Sequence, residues 1–337
     1  MTVWITSMKG MAGAAQLGQD LEAQVGRELG FRELSFPVSF EDVKADGQEE
    51  LRSISAKVHA GDVVIIQSPL WFQFAFEQSL VRLLKKQGVR IVYFVHDVEP
   101  LEFGATEQKE LTTWIHLYNQ ATVMILPNRH TAKCLRGYGL IIPSSQIVYQ
   151  EVWDNRVEFD RLDQPISKYT PIIQFAGDRD KFDFIDTWPS AEVPLVNYSR
   201  TRVRSKNVFN GNFLPNDILV LKMHNLGGYG LLWEADERWY NYMKINTSFK
   251  LGAYLSAGLP VIAHRGVAQE KLITREHLGI VADSISDAID QVMKLPPQQY
   301  FRLAQNAWRL GRLTRQGLFS KRVLTAAVFR ALAPWTV

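Results

Sequence analysis

The sequence has a single cysteine, Cys134, among its 337 residues, so no disulfide can form within the chain. A reducing, cytoplasmic setting is the expectation that follows. There is no apolar stretch approaching the ~20 residues that a membrane-crossing helix needs. The first ten residues, MTVWITSMKG, lack the charged segment and long apolar core of a secretory leader. Excess charge of one sign is also scarce: 38 Lys and Arg stand against 35 Asp and Glu, a net charge of +3. Such a weak imbalance gives no ground for nucleic-acid binding. It is compatible with a phosphorylated ligand, or with peripheral contact at the anionic inner face of a membrane. No internal repeat or low-complexity segment interrupts the chain. With 46% hydrophobic and 22% charged residues, it has enough apolar material for two domains.

Short β-rich runs alternate with longer amphipathic stretches. Thr2–Ser7, Asp62–Pro69, Arg90–Asp97 and Thr122–Pro127 are nearly continuous in Val, Ile and other apolar residues. That is the composition of parallel strands covered on both faces. Ala14–Leu29, Phe76–Gln87 and Glu107–Asn119 between them read as helices, giving a doubly wound α/β domain over residues 1–153. Asp154–Thr170 is polar and irregular and reads as a linker. The alternation resumes over 171–316 with strands at Pro171–Ala176, Pro194–Tyr198, Tyr229–Trp233, Pro260–His264 and Leu278–Ala282, and helices at Pro215–Asn225 and Ser248–Ala257. Residues 317–337 contain an amphipathic helix, Ser320–Leu332, expected to pack back on the first domain.

In open parallel sheets, ligands bind outside the carboxyl ends of the strands, so the loops after the strands carry the candidate chemistry. Lys9–Ala15 (KGMAGAA) is small enough to bring backbone close to a ligand, although it is not a GxGxxG and serves equally as a tight turn. His96 and Asp97 end the fourth strand, where a general base or a hydroxyl-positioning group would sit; the alternative is that Asp97 caps the next turn. Trp71 and Phe72 are placed to stack on a sugar. After Pro171–Ala176, Arg179 and Lys181 offer charge to a diphosphate leaving group. Asp178-Arg179-Asp180 has the spacing of a metal-binding Asp-x-Asp, but a cation between the carboxylates fits a metal poorly, and no metal or other cofactor is expected. The sharpest segment is Thr247–Ile262, TSFKLGAYLSAGLPVI. Its helix start at Ser248–Lys250 presents N–H groups, and Lys250 adds a full charge, to a phosphate. Leu226–Gly230 is a flexible turn just upstream.

Lys250–Ile262 resembles the K-L-x-E-Y-x-A-x-G-x-P-V-I stretch of bacterial GT-B transferases. A wider likeness runs through Val3–Thr6, Ala15–Leu17, Gly30–Leu34, Gly61–Gln67, Phe94–Pro100, Gly227–Trp233, Phe249–Ile262 and Gly317–Phe329. Through these pieces the chain resembles the bacterial glucosyltransferases that extend N-acetylglucosamine on serine-rich-repeat adhesins, and the related β-1,6-galactofuranosyltransferases. The resemblance implies a GT-B fold of two Rossmann-like domains facing across a cleft. It also implies a UDP-sugar donor held mainly by the second domain, no metal, and a glycan or glycosylated-protein acceptor. A homo-oligomer is expected. By position, Lys181 matches a family Arg that meets the diphosphate, and Phe213 a family Tyr near the uracil. Ser248, Phe249, Lys250, Leu251, Gly252 and Ala253 match the helix start that holds the nucleotide. Ala14 falls where the family has a Thr.

Some positions depart from the pattern. Ala14 loses a hydroxyl, Phe213 keeps a ring without the phenol, and Ala253 replaces the ribose-binding Glu of the wider GT-B pattern. These leave the reaction class and blur the donor, with UDP-glucose, UDP-galactofuranose and UDP-N-acetylglucosamine all open, as are adhesin and exopolysaccharide acceptors. Two other readings stand beside the transferase: a UDP-sugar epimerase of the same fold, and an inactive nucleotide-sugar-binding partner in a glycosylation complex.

Overall fold

The computed structural model describes residues 1–10, 13–37, 48–71, 74–103, 108–157 and 162–333. The chain divides into two compact units, Met1–Glu151 with Phe319–Val337, and Val152–Leu318.

The first unit contains strands β1 (Val3–Lys9), β2 (Arg32–Pro37), β3 (Val63–Ser68), β4 (Arg90–Val95), β5 (Val123–Leu126) and β6 (Ile147–Tyr149). They form one sheet in the order β2-β1-β3-β4-β5-β6. Every pairing is parallel. Helices α1 (Ala14–Glu28), α2 (Gln48–Lys57), α3 (Phe74–Lys86), α4 (Glu99–Glu102), α5 (Gln108–Tyr118) and α6 (Arg129–Gly137) connect them. The strand β3, VVIIQS, is buried along its whole length. A sheet covered on both faces requires that of a central strand. Asp62, just before β3, is buried too. It is satisfied by the Trp4 indole N–H at 3.1 Å and the Thr2 N–H at 2.6 Å, which fixes β1 beside β3.

The second unit has β7 (Ile173–Phe175), β8 (Leu195–Asn197), β9 (Val208–Asn210), β10 (Tyr229–Leu232), β11 (Val261–His264) and β12 (Gly279–Ala282). These form a second all-parallel sheet in the order β12-β11-β10-β7-β8-β9. Its helices are α7 (Asn216–Leu226), α8 (Glu237–Met243), α9 (Phe249–Ser256), α10 (Glu270–Arg275), α11 (Ile285–Lys294) and α12 (Pro297–Arg315). Gly228 lies at φ +78°, and its Cα faces the Ile172 backbone so closely that no β-carbon fits, which lets β10 enter beside β7.

The last helix, α13 (Leu318–Leu332), joins the first unit. The Ser320 hydroxyl donates to the buried Glu22 carboxylate at 2.7 Å, and Lys321 pairs with Glu28 at 2.9 Å. Arg322 and Arg330 donate to the carbonyls of Tyr149 and Ile147, at 2.7 and 2.6 Å. Two arginines of α13 thus cover carbonyls of β6, an edge strand that would otherwise offer them to another chain.

The two parallel-sheet α/β domains agree with the sequence expectation. Three strands were not legible: β2, β6 and β9. All three stand at sheet edges. Their short or charge-interrupted sequences, RELSFP, IVY and VFN, lack the continuous apolar run that marks a central strand.

Candidate functional site

The loops at the carboxyl ends of β7 and β10 and the start of α9 bring three charged side chains of the second unit together. Ser248 occupies the N-cap of α9, its hydroxyl accepting from the Lys250 N–H at 3.3 Å. This places the Lys250 side chain in the first turn, with its Nζ 4.3 Å from the Phe182 ring centre and 5.4 Å from that of Phe175. Lys181, from the loop after β7, sets its Nζ 3.4 Å over the Trp239 ring. Glu234, two residues beyond β10, is 5% exposed. Burial pushes its carboxyl above the usual range, while Lys250 and Lys181 pull it back. Burial pushes the Lys250 ammonium down, Glu234 holds it up, and Lys181 repels it. The cluster is therefore a buried carboxylate facing two lysines, a cation-rich site with one internal counter-ion. Glu234 was not among the residues singled out from sequence.

Beside it, His264 at the end of β11 lies between two rings. It stacks on Trp233 at 4.0 Å and 7° and on Tyr240 at 4.4 Å and 27°. Its Nδ1 is 3.0 Å from the Glu234 carbonyl oxygen, so the stack also fixes the backbone that carries Glu234.

Other residues predicted from sequence are divided by the fold. Along α9, the Phe249 ring stacks on the buried Trp153 at 4.5 Å, Leu251 is fully buried, and Ala253 is 8% exposed. Gly252 approaches the Trp153 carbonyl so closely that a β-carbon would collide with it. These four pack inward, and the segment's polar side chains are Ser248 and Lys250. Arg179 is engaged elsewhere: it forks the Asp186 carboxylate, with contacts of 2.6 and 3.1 Å. Asp178 and Asp180 accept from the hydroxyls of Ser199 and Thr201, at 3.0 and 3.1 Å, and so tie two loops together. Phe213 is 58% exposed, with the Arg200 guanidinium 4.5 Å above its ring.

In the first unit, Ala14 is the first residue of α1, after Gly13 at φ +87°. Met11, Ala12 and Phe72 lie outside the described residues. Trp71 packs edge-on against Phe103 at 6.3 Å. His96 and Asp97 follow β4. Val98, not Asp97, holds the N-cap position of α4, without a side-chain cap. His96 is 4% exposed, and burial pushes it down to about 3. The Gln67 amide donates to the carbonyls of Thr6 at 2.6 Å and Gln19 at 3.0 Å, which fixes its oxygen toward His96 Nε2 at 2.9 Å. With an acceptor there, Nε2 carries the hydrogen and Nδ1 the lone pair. His96 is thus a neutral, oriented acceptor near pH 7.

Nearby, Glu77 of α3 is wholly buried and pushed up to about 7 by burial. It accepts from the Ser68 hydroxyl at 2.9 Å and the Leu70 N–H at 3.2 Å. The two groups have opposite linkage. His96 binds fewer protons folded than unfolded, so its contribution is present above about 6.5 and is lost as pH falls toward 3. Glu77 binds more protons folded, so its contribution is present below about 4.5 and is lost as pH rises through 7. Between pH 4.5 and 6.5 the slopes offset. Glu77→Gln should therefore lose stability more steeply than wild type on acidification from pH 7 to 4.5, by up to about 1.4 kcal/mol per pH unit. Urea unfolding across that range reads the slope, and parallel slopes would refute the protonation of Glu77.

Two all-parallel α/β sheets, one in each unit, match the GT-B fold. Sucrose-phosphate synthase from Thermosynechococcus elongatus shares this fold at a TM-score of 0.69 and 12% identity, over 99% of each chain. Residues 2–152 match the N-terminal domain model of the glucosyltransferase 3-like family, and residues 173–327 match its C-terminal domain model. The chain belongs to that glucosyltransferase 3-like family. It is 32% identical to glucosyltransferase 3 of Streptococcus parasanguinis, over 98% of this chain and 99% of the relative. To glucosyltransferase 3 of Streptococcus gordonii it is 33% identical, over 99% and 100%. The protein is a glycosyltransferase.

Proposed function

We propose that the enzyme transfers a hexose, glucose foremost, from a UDP-sugar to a glycan or glycosylated-protein acceptor without a metal ion. The observation that carries this reading is the gathering of Lys250 and Lys181 around the Phe182 ring, with their charges acting on the buried Glu234, at the carboxyl edge of a parallel sheet. A diphosphate brings stronger negative charge than one carboxylate, so it competes with Glu234 for both lysines. Glucose as the sugar rests on the names of the two streptococcal relatives. In the reaction, an acceptor oxygen forms a bond to C1 of the sugar and the bond from C1 to the UDP oxygen breaks. The leaving UDP carries the developing charge, which the lysines stabilise. The hydroxyl proton goes to Asp97 if the enzyme inverts, or to the leaving phosphate if it retains. His96 is assigned to position a donor or acceptor hydroxyl.

A thermal-shift screen of UDP-glucose, UDP-galactose, UDP-N-acetylglucosamine and UDP-galactofuranose in EDTA tests the donor, because a ligand that binds only the folded state raises its stability by mass action. UDP-glucose is expected to raise the midpoint most, and transfer is expected to proceed unchanged in EDTA. Activity lost in EDTA and restored by Mn²⁺ would reject the metal-free reading. Stabilisation by none of the four would reject the donor class.

A further inference from the structure

The segment joining β8 to β9 is Tyr198–Asn207, YSRTRVRSKN. Arg200, Arg202, Arg204 and Lys206 alternate with Thr201, Val203 and Ser205, and the four cations are exposed while Val203 is buried. Arg202 and Arg204 flank the buried Val203, whereas Arg200 lies over the Phe213 ring. The segment is held in place: Asn210 accepts from the Val203 N–H at 2.8 Å and donates to the Val203 carbonyl at 3.0 Å. Asp178 and Asp180, through Ser199 and Thr201, tie it to the loop that carries Arg179. Between these loops lies a depression of about 460 Å³, lined by Arg179, Asp186, Arg202 and Arg204. That volume falls in the range of small-molecule sites. Three guanidiniums face one carboxylate, and that carboxylate is already forked by Arg179. Among the described residues no ion pair to a carboxylate involves Arg202 or Arg204, whereas Arg179 and Arg265 each have two.

Like charges gathered on a fixed loop repel one another, and a bound anion is the group that would relieve the repulsion. Guanidinium forks match phosphate oxygens in pairs, which ammonium groups do not. We propose that this arginine pocket is a second anion site, distinct from the Lys181–Lys250 cluster, and that it holds the phosphate of a phosphorylated ligand through Arg202 and Arg204. The inference does not rest on the identity of the donor sugar. A soluble phosphate ester and a phospholipid headgroup present the same chemistry, so the test has an arm for each.

The first arm titrates inorganic pyrophosphate by calorimetry at matched ionic strength, with UDP held at saturation. The second measures co-sedimentation with phosphatidylglycerol vesicles against phosphatidylcholine vesicles. Wild-type protein is expected to bind in at least one arm. R202A/R204A is expected to weaken that binding at least tenfold while leaving UDP affinity unchanged, and R202K/R204K to restore it in part. Both positions are exposed, and matching circular dichroism spectra establish that the variants fold. Pyrophosphate binding assigns a soluble phosphate, and vesicle binding alone assigns a headgroup. The proposal is overturned by no binding in either arm, or by binding that the alanine variant retains. It is also overturned if UDP displaces the pyrophosphate and R202A/R204A loses UDP as well, since the arginines would then belong to the nucleotide site.

Discussion

Asp97→Asn is expected to lower turnover by about 10²–10⁴-fold, the usual cost of removing a general base. A sugar hydroxyl is far too weak an acid to surrender its proton at neutral pH unaided. Asp97 follows β4 at the carboxyl edge of the first sheet, half-buried, and the adjoining helix α4 begins at Glu99 with Val98 as its N-cap and no side-chain cap. Its neighbour His96 is buried, neutral and bonded to Gln67, so it does not carry a proton to or from the reaction near neutrality. UDP affinity should be kept in the variant, because the lysines assigned to the nucleotide belong to the second unit. Steady-state kinetics and UDP calorimetry on the same preparation separate the outcomes. Near-normal turnover would remove Asp97 as the base; loss of UDP binding would move it into the donor site.

Lys250→Ala is expected to weaken UDP binding by about 1.5–3 kcal/mol, the worth of a charge-assisted hydrogen bond. The substitution also takes a counter-charge from Glu234, a carboxylate that burial already pushes up. Glu234 should then take up a proton, so Lys250→Ala and Lys250→Ala/Glu234→Gln, neither of which keeps a buried anion, should bind UDP with about the same affinity. In wild type, affinity should fall as pH rises through the lowered Lys250 pKa, since the ammonium, not the amine, attracts the anion. Lys250→Arg should flatten that alkaline limb. Calorimetric titration of UDP over pH checks all three, and an affinity indifferent to Lys250→Ala would take the residue out of the site.

The central strands of both sheets were legible because a strand buried on both faces must be apolar along its length, as Val63–Ser68 is. The α9 start was legible because Ser, Phe and Lys stand together where a cap, a packing ring and a charge are each needed. Glu234 was missed although it follows the run YGLLW directly. Its meaning depends on Lys181 and Lys250, which lie far along the chain in both directions and meet it only once β7 and β10 pair. Arg179 illustrates the same limit. Its residue type suited a diphosphate, but its partner Asp186 lies seven residues on in a segment without periodicity, and only the folded loop brings them into register. Likewise the likeness over Ser248–Ala253 did not separate residues that face a ligand from residues that face Trp153.

The return of α13 to the first unit has a consequence for synthesis. Residues 152–318 lie between the two pieces of that unit. A ribosome therefore releases all of the second unit before it releases Ser320, Arg322 and Arg330, which secure Glu22 and the β6 carbonyls. The inserted unit can reach its native state while its host still lacks its closing helix, although the host's amino-terminal part emerged first. Until α13 is translated, β6 keeps carbonyls that this helix will later cover, and the nascent chain carries an open strand edge while residues 152–318 are added. Ribosome-bound chains halted just before and just after Leu318–Leu332 should differ in protease resistance across residues 1–151 and agree across 152–318.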